Sequence, residues 1–406
     1  MTPIPFFDLR RQFLDLRRDL LAEVTAVCDE QNFILGPRVR AFEEQVEQLT
    51  GATHAVGTSS GTDAELLILM SLGVGPGDAV VTTPFTFFAT AACIARLGAR
   101  PIFVDVDPGT LNLSVPALES FLEHHCRPAE HGLMTEGGLQ VRAVIPVHVF
   151  GLCADLDGLQ RACAPRGLTL IEDAAQAIGA VYPSGTGPCT AGSVGKAGFL
   201  SFYPTKNLGA FGDAGMALTS DPDLAERLRI NRNHGMEPRY CHQTLGGNFR
   251  MDALQAAVLN RKLHELPRWS ERRWRIAQRY HEVFEGLEAL VQLPVEPYRE
   301  TLGWQGHTYH QFVLRTACRD ALRGFLTERG IGTEIYYPVP LHQQPCFAGI
   351  SDSFGELPAA EQAAREALAL PIFPELSDDE VDRIAYTVRR FFHLSDVRNK
   401  RSIKTG

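Results

Sequence analysis

Apolar positions in the first half of the chain alternate between two rhythms. Short, nearly continuous β-rich runs occur at His54–Thr58, Ala79–Thr83, Pro101–Asp105, Ala143–His148 and Leu168–Glu172, with two more at Phe199–Phe202 and Ala214–Thr219. Between them, Arg40–Leu49, Ala64–Leu72, Phe88–Leu97 and Leu156–Ala164 carry the apolar stripe that an amphipathic helix buries. A strand that is apolar throughout is covered on both faces, and strands alternating with helices build a mostly parallel sheet. The expected fold class is therefore α/β.

Around Arg250 the rhythm changes. Met251–Leu266 and an Arg/Glu-rich stretch to about Leu287 read as helices, followed by a strand at Tyr309–Arg315, a helix at Cys318–Arg329 and a short strand near Thr333–Tyr337. A last helix opens at Ser377 with Glu380 three residues on, a capping box, and runs through Val388. Two stretches rich in Gly, Pro and Ser, Arg127–Leu139 and Tyr182–Lys196, read as loops. This organisation predicts a large α/β domain over residues 1–265, N-terminal segment included, a smaller C-terminal α+β domain over 266–394, and a flexible tail over 395–406.

Composition narrows the function. The 406 residues are 45% hydrophobic and 21% charged, enough for a substantial core, and the net charge of −9 argues against a nucleic-acid or anionic-lipid partner. With no run of 18 apolar residues and early charges in the N-terminal segment, neither a membrane span nor a secretory leader is expected. The nine cysteines include no C-x-x-C pair, which fits a reducing cytoplasm and disfavours a disulfide framework or zinc ribbon.

Lysine is scarce. It stands only at 196, 206, 262, 400 and 404, so 34 of the 39 basic residues are arginine. A lysine inside the chain then points to chemistry that arginine cannot supply. Lys206, in Ser201-Phe-Tyr-Pro-Thr-Lys206-Asn207-Leu-Gly209, follows a buried strand, where desolvation lowers an amine's pKa toward nucleophilicity; an ordinary loop cation is the alternative. Lys262 reads as mid-helix, leaving Lys196 as the rival. In Leu170-Ile-Glu172-Asp173-Ala-Ala-Gln176, a strand ends on two acids, at the edge where α/β sheets bind ligands. Asp173 there could serve a metal, a sugar hydroxyl, the ring nitrogen of pyridoxal phosphate, or a helix cap.

Thr58-Ser59-Ser60-Gly61-Thr62-Asp63 leads from a strand into a helix, an arrangement suited either to an anion or to plain capping. Gly73-Val-Gly75-Pro-Gly77-Asp78 follows a helix and precedes a strand, the reverse of a dinucleotide loop, and is set aside. In Pro84-Phe85-Thr86-Phe87-Phe88-Ala-Thr90, aromatics after a strand could stack on a planar ring or join the core. His148 reads as a core histidine, and no residue cluster has metal-ligand spacing. A phosphate turn, an aromatic, an acid and a lysine, all following strands on one edge, are the parts that would hold pyridoxal phosphate as a Schiff base.

From about Ile4 to Phe392 the chain resembles the DegT/DnrJ/StrS family of pyridoxal-phosphate-dependent nucleotide-sugar aminotransferases. The resemblance is carried by Phe33-Ile-Leu-Gly36-Pro37, Ser60-Gly-Thr-Asp-Ala64, Gly75-Pro-Gly-Asp78, Glu172-Asp-Ala-Ala-Gln176 and Ser201-Phe-Tyr-Pro-Thr-Lys206. Arg232-Asn-His-Gly235, Gly247-Asn248-Phe-Arg250-Met251, Tyr337-Pro-Val-Pro-Leu-His342 and Leu370-Pro-Ile-Phe-Pro-Glu375 complete it.

The resemblance implies the type I aminotransferase fold with pyridoxal 5'-phosphate as cofactor. It assigns Lys206 to the internal aldimine and to proton transfer, Asp173 to the pyridinium nitrogen, Gln176 to the ring's phenolic oxygen and Phe87 to the ring face. Gly61, Thr62 and Ser201 would hold the phosphate, and Asn248 would reach the phosphate of a neighbouring subunit, implying a homodimer with shared sites. An amino donor, most often L-glutamate, would aminate a 3-keto or 4-keto hexose linked to a nucleotide. His148, Arg250 and His342 match family positions without an assigned role, and Tyr182–Lys196 departs from the family pattern at the substrate rim. A sugar dehydratase of the same fold would carry histidine where this chain has Lys206, and a non-catalytic regulatory protein would tend to lose parts of the set.

Overall fold

The computed structural model describes the backbone of residues 2–130 and 132–403, and side chains up to residue 394. Each apolar run of the first half forms a strand, with bounds within about three residues of those expected from periodicity. Seven of these strands lie side by side in the order His54–Thr58, Gly215–Thr219, Ala197–Ser201, Thr169–Asp173, Gln140–Ile145, Asp78–Thr82, Arg100–Phe103, with the short Asp352–Ser353 beyond. Every pairing from Ala197–Ser201 outward to Asp352–Ser353 is parallel, whereas Gly215–Thr219 runs antiparallel to both its neighbours. Two reversals restore the direction, so His54–Thr58 ends on the same edge as the parallel strands. The expected α/β class with a mostly parallel sheet is what forms.

Both faces of the sheet are covered, as all-apolar strands require. Ala79, Val81, Leu170 and Leu200 belong to one core cluster, while Val80, Ile171 and Phe199 belong to another on the opposite face. The first cluster is roofed by Leu16 and Leu20 of helix Leu9–Glu30 and by Val39, Phe42 and Val46 of helix Pro37–Thr50. The second is covered by helix Gly61–Ser71, apolar nearly all round.

C-terminal to the sheet, a two-stranded antiparallel ribbon pairs Phe312–Arg315 with Ala367–Leu370, packed by helices Arg319–Thr327 and Asp378–Ile403. Helix Leu266–Phe284 serves both regions: Leu266 and Trp269 reach the large core, and Ile276, Tyr280 and Phe284 the C-terminal one. Ile4 also packs in the C-terminal core, its N–H donating to the Gly330 carbonyl at 2.7 Å. The capping box is present, with Glu380 N–H donating to Ser377 Oγ and Ser377 N–H to Glu380 Oε2.

Several local expectations are corrected. Both presumed loops contain hairpins, Cys126–Ala129 with Gly132–Thr135 and Val181–Ser184 with Gly187–Thr190, whose four-residue strands are too short to show alternation. Thr333–Tyr337 is not a strand and makes a single bridge, Glu334 to Ala369. The last helix runs past Val388 to Ile403. The expected tail falls on its end, where the side chains from residue 395 and all of residues 404–406 lie outside the described residues. No helix among the described residues is long and apolar enough to cross a membrane.

Candidate active site

Adjacent residues of a strand face opposite ways, so Glu172 and Asp173 have different surroundings. Glu172 turns into the protein and accepts N–H bonds from Gly192 (2.8 Å), Val194 (2.6 Å) and Gly195 (2.7 Å), pinning the turn that leads into the next strand. Its fourth partner is His148, whose Nδ1 accepts the N–H of Ala154 at 3.0 Å and whose Nε2 therefore donates to Glu172 at 2.9 Å. His148 is thus a satisfied core residue. Asp173 instead lines a cavity of about 490 Å³. Its oxygens accept from the Thr90 hydroxyl at 2.8 Å and the Ala175 N–H at 3.1 Å. Burial raises its pKa, and those two bonds and Lys206 oppose the rise without cancelling it.

Lys206 enters the cavity from the next strand along. Phe202, wholly buried edge-on to Phe42 with centroids 5.1 Å apart, anchors the chain leaving Ser201, and the Lys206 N–H closes a turn on the Tyr203 carbonyl at 2.8 Å. Burial pushes the lysine amine down to about 8 from 10.5, against the pull of Asp173.

Helix Gly61–Ser71 points its N-terminus at the same cavity. The Ser60 hydroxyl caps Asp63 N–H, which leaves the N–H groups of Gly61 and Thr62 without intrahelical acceptors. A Cβ at Gly61 would lie 2.7 Å from the Ser201 Cβ, and one at Gly215 would lie 2.2 Å from the Ser60 carbonyl oxygen. Glycine at both positions lets the turn close against two strands and shapes a cradle open to a small anion.

The walls add detail. Phe87 is 58% exposed and stands at the cavity. Gln176 is fixed in orientation: its Oε1 accepts the Phe150 N–H at 2.8 Å, so its Nε2 donates to Tyr337 Oη at 2.9 Å. Phe150 holds that pose with φ of 58°, a left-handed conformation that bulky residues seldom adopt.

Seven of the eight site residues expected from sequence therefore converge on one cavity: Gly61, Thr62, Phe87, Asp173, Gln176, Ser201 and Lys206. Asn248 does not; it is exposed, outside this cavity, in a backbone bridge with Asn233. Arg250 donates to Asn233 Oδ1 at 2.7 Å, and His342 Nε2 sits 3.2 Å from Glu361, both away from the cavity lining. Lys196 is a surface residue paired with Asp221. Lys262 is buried, more so than the half-buried Lys206, and its amine is also lowered to about 8 by burial, but it donates to the Gly209 carbonyl at 2.7 Å. Sequence reasoning gave no role to Phe150, His310, Gln311 and Tyr336, which also line the cavity. No His, Cys, Asp or Glu group among the described residues could hold a metal ion.

This arrangement offers an anion cradle, a carboxylate for a protonated ring nitrogen, an aromatic face and a buried amine of lowered pKa. The donor set fits pyridoxal phosphate. Residues 15–389 match the DegT/DnrJ/EryC1/StrS aminotransferase family. The pleiotropic regulatory protein of Geobacillus stearothermophilus is 43% identical over 389 residues, 96% of this chain and 98% of that one. The UDP-N-acetyl-3-dehydro-alpha-D-glucosamine 3-aminotransferase of Acidithiobacillus ferrooxidans is 41% identical over 392 residues, 97% of this chain and 99% of that one. Among solved structures, S. venezuelae DesV in complex with a ketimine intermediate superposes with a TM-score of 0.87 at 38% identity, covering 96% of this chain and 99% of that one.

Proposed function

Because the chain belongs to the DegT/DnrJ/EryC1/StrS aminotransferase family, we propose that it is a pyridoxal-phosphate-dependent transaminase that moves an amino group from L-glutamate to the keto group of a nucleotide-linked hexose. The observation that carries the proposal is the convergence of Lys206, Asp173 and the Gly61–Thr62 turn on one cavity at the C-terminal edge of the sheet. Amination at C3 is favoured, because several relatives named for a reaction are named for a 3-amino or 3-keto sugar.

Bound in the cavity, the cofactor supplies an amine-reactive aldehyde and a ring that withdraws electrons. The chain supplies the rest. A Lys206 amine at about 8 rather than 10.5 is present as free base about 300-fold more often at pH 7. Once displaced, that amine carries a proton between carbon atoms held in front of it. Asp173 retains the ring-nitrogen proton, and Thr90 and the Ala175 N–H favour its ionised form. Gly61, Thr62 and Ser201 would hold the phosphate, and Phe87 and Gln176, which line the same cavity, would hold the ring. The exposed Asn248 serves the cavity of a second copy, which makes the working unit a homodimer with shared sites. A cytoplasmic setting is supported by nine cysteines that are all unpaired.

The test is a pair of half-reactions. The visible band of the purified protein should disappear with L-glutamate, return with a nucleotide-linked 3-keto hexose, and be missing from Lys206→Ala. A band that glutamate leaves untouched would refute transamination and favour the regulatory role suggested by the name of the Geobacillus relative.

A further inference from the structure

Thr86 is a buried hydroxyl residue in the wall of the same cavity, 2% exposed, with no task in the mechanism above. It stands just before Phe87 in the aromatic motif and four residues before Thr90, which lies in the first turn of helix Ala89–Arg96. Its Oγ1 is 3.1 Å from the Thr90 Oγ1, and the Thr90 Oγ1 is 2.8 Å from Asp173 Oδ2. A hydroxyl carries one proton. The Thr90 proton is committed to the carboxylate, so the proton in the 3.1 Å contact belongs to Thr86. Thr86 therefore donates to Thr90, and Thr90 donates to Asp173. Among the described residues the Thr86 hydroxyl has no other partner.

The relay is held in place. Phe85, wholly buried, packs edge-on to Tyr337 and Phe150 with centroids 5.8 and 6.2 Å apart, and the Leu341 N–H donates to the Pro84 carbonyl at 2.8 Å. Thr90 is buried as well, and in such surroundings each hydrogen bond of a chain polarises the next. The other carboxylate oxygen, Oδ1, accepts the Ala175 N–H. The charged and titratable groups that act on Asp173 are Lys206, His148, Glu65 and Tyr337, none of whose side chains hydrogen-bonds to its carboxylate. Burial raises the Asp173 pKa, and the Thr90 hydroxyl comes first among the influences that oppose the rise.

We infer that Thr86 is a positioning residue for Asp173: by donating to Thr90 it keeps the Thr90 proton on Oδ2, and so helps to hold the carboxylate in its charged form. This rests on Asp173 being the acid that keeps the ring-nitrogen proton. Thr86 reaches the carboxylate by hydrogen bond only through Thr90, so its effect must vanish once the Thr90 hydroxyl is gone.

The Asp173 carboxyl is titrated in apoprotein carrying carbon-13 in its aspartate side chains, the signal being identified by its loss in Asp173→Asn. Thr90→Val should raise the midpoint by about one pH unit and Thr86→Val by about 0.3. Thr86→Ser keeps a hydroxyl and should stay at the wild-type value. The double valine variant should match Thr90→Val alone. In the loaded protein, band loss with L-glutamate should slow about tenfold in Thr90→Val and about twofold in Thr86→Val. A Thr86→Val protein that melts like wild type with an unchanged midpoint would overturn the inference. Additive shifts in the double variant would also overturn it, as would a serine variant that behaves like valine.

Should a valine variant fold poorly, the threonine hydroxyl protons of wild-type apoprotein decide. A Thr86 hydroxyl resonance that moves together with that of Thr90 as Asp173 ionises supports the relay, and one that stays still overturns it. The titration is read without cofactor and so stands apart from the reading it extends. A Lys206→Ala protein that still develops the visible band refutes the transaminase and leaves the relay as measured.

Discussion

Replacing Glu65 with leucine should stabilise this protein, by an amount that grows with pH. Glu65 sits on helix Gly61–Ser71, wholly buried, and neither carboxyl oxygen has a well-formed hydrogen bond among the described residues, the Cys93 thiol being the one weak donor beside it. Burial raises its pKa well above 4.5; the charge of Asp173 adds to the rise, and only the Cys93 thiol opposes it. Folded, the side chain keeps its proton to well above 4.5; unfolded, it releases it near 4.5. The folded state therefore binds more protons between those limits, and stability falls as pH rises, by about 1.4 kcal/mol per unit. The loss accumulates over the whole interval in which the folded side chain keeps its proton and the unfolded one does not. Leucine has no proton to lose. Urea unfolding of apoprotein at pH 5 to 8, followed by fluorescence, should show a gap between wild type and Glu65→Leu that is smallest at the acid end and widens with pH by about 1.4 kcal/mol per unit while the folded carboxyl stays protonated. Glu65→Gln should share the altered pH slope but lie about 1–3 kcal/mol lower, its buried amide being unpaired. A difference between wild type and Glu65→Leu that does not vary with pH would refute the reasoning.

Asp173→Asn removes the carboxylate proposed to hold the ring-nitrogen proton, and should slow band loss with glutamate by about 10²–10³-fold while the cofactor still binds, read by stopped-flow absorbance. Glu172→Gln exchanges a carboxylate that satisfies three N–H groups and His148 for a group with one acceptor oxygen. It should cost about 3 kcal/mol, measured as a fall in the urea midpoint. Lys262 titrates at about 8 when folded and 10.5 when not, so the unfolded chain binds more protons in between. Wild type should therefore gain stability over Lys262→Met as pH rises from 8 toward 10.5, and a flat difference in denaturation midpoints would count against the buried ammonium.

Much of this was legible in the chain, and the limits are physical. Strand runs announce themselves because burial on both faces forces them to be apolar throughout, whereas helix Leu9–Glu30 escapes notice because only Gln12, Leu16, Leu20 and Val27 are buried among its charges. Scarcity of lysine singles out Lys206, but Lys262 is the more buried of the two and its amine is lowered to the same value; only the direction each amine takes tells them apart. Alternation along a strand predicts that Glu172 and Asp173 diverge, although not which of them meets the cavity. His310 and Tyr337 arrive from more than a hundred residues downstream of Lys206, where no local spacing records the encounter. The left-handed Phe150 is invisible for a different reason, since sequence patterns favour glycine or asparagine for that backbone.

The antiparallel strand Gly215–Thr219 has a bearing on how the chain comes into being. It is the sheet neighbour of His54–Thr58, and its Gly215 lies against the Ser60 carbonyl at the anion turn. On a ribosome extending at about 5–20 residues per second, the earlier strand waits roughly 10–30 s for the later one. Until then it presents an unpaired, apolar edge, and the phosphate turn has nothing to close against. A nascent chain shorter than Thr219 thus needs protection from its own kind, and one stalled there has no cradle for the cofactor.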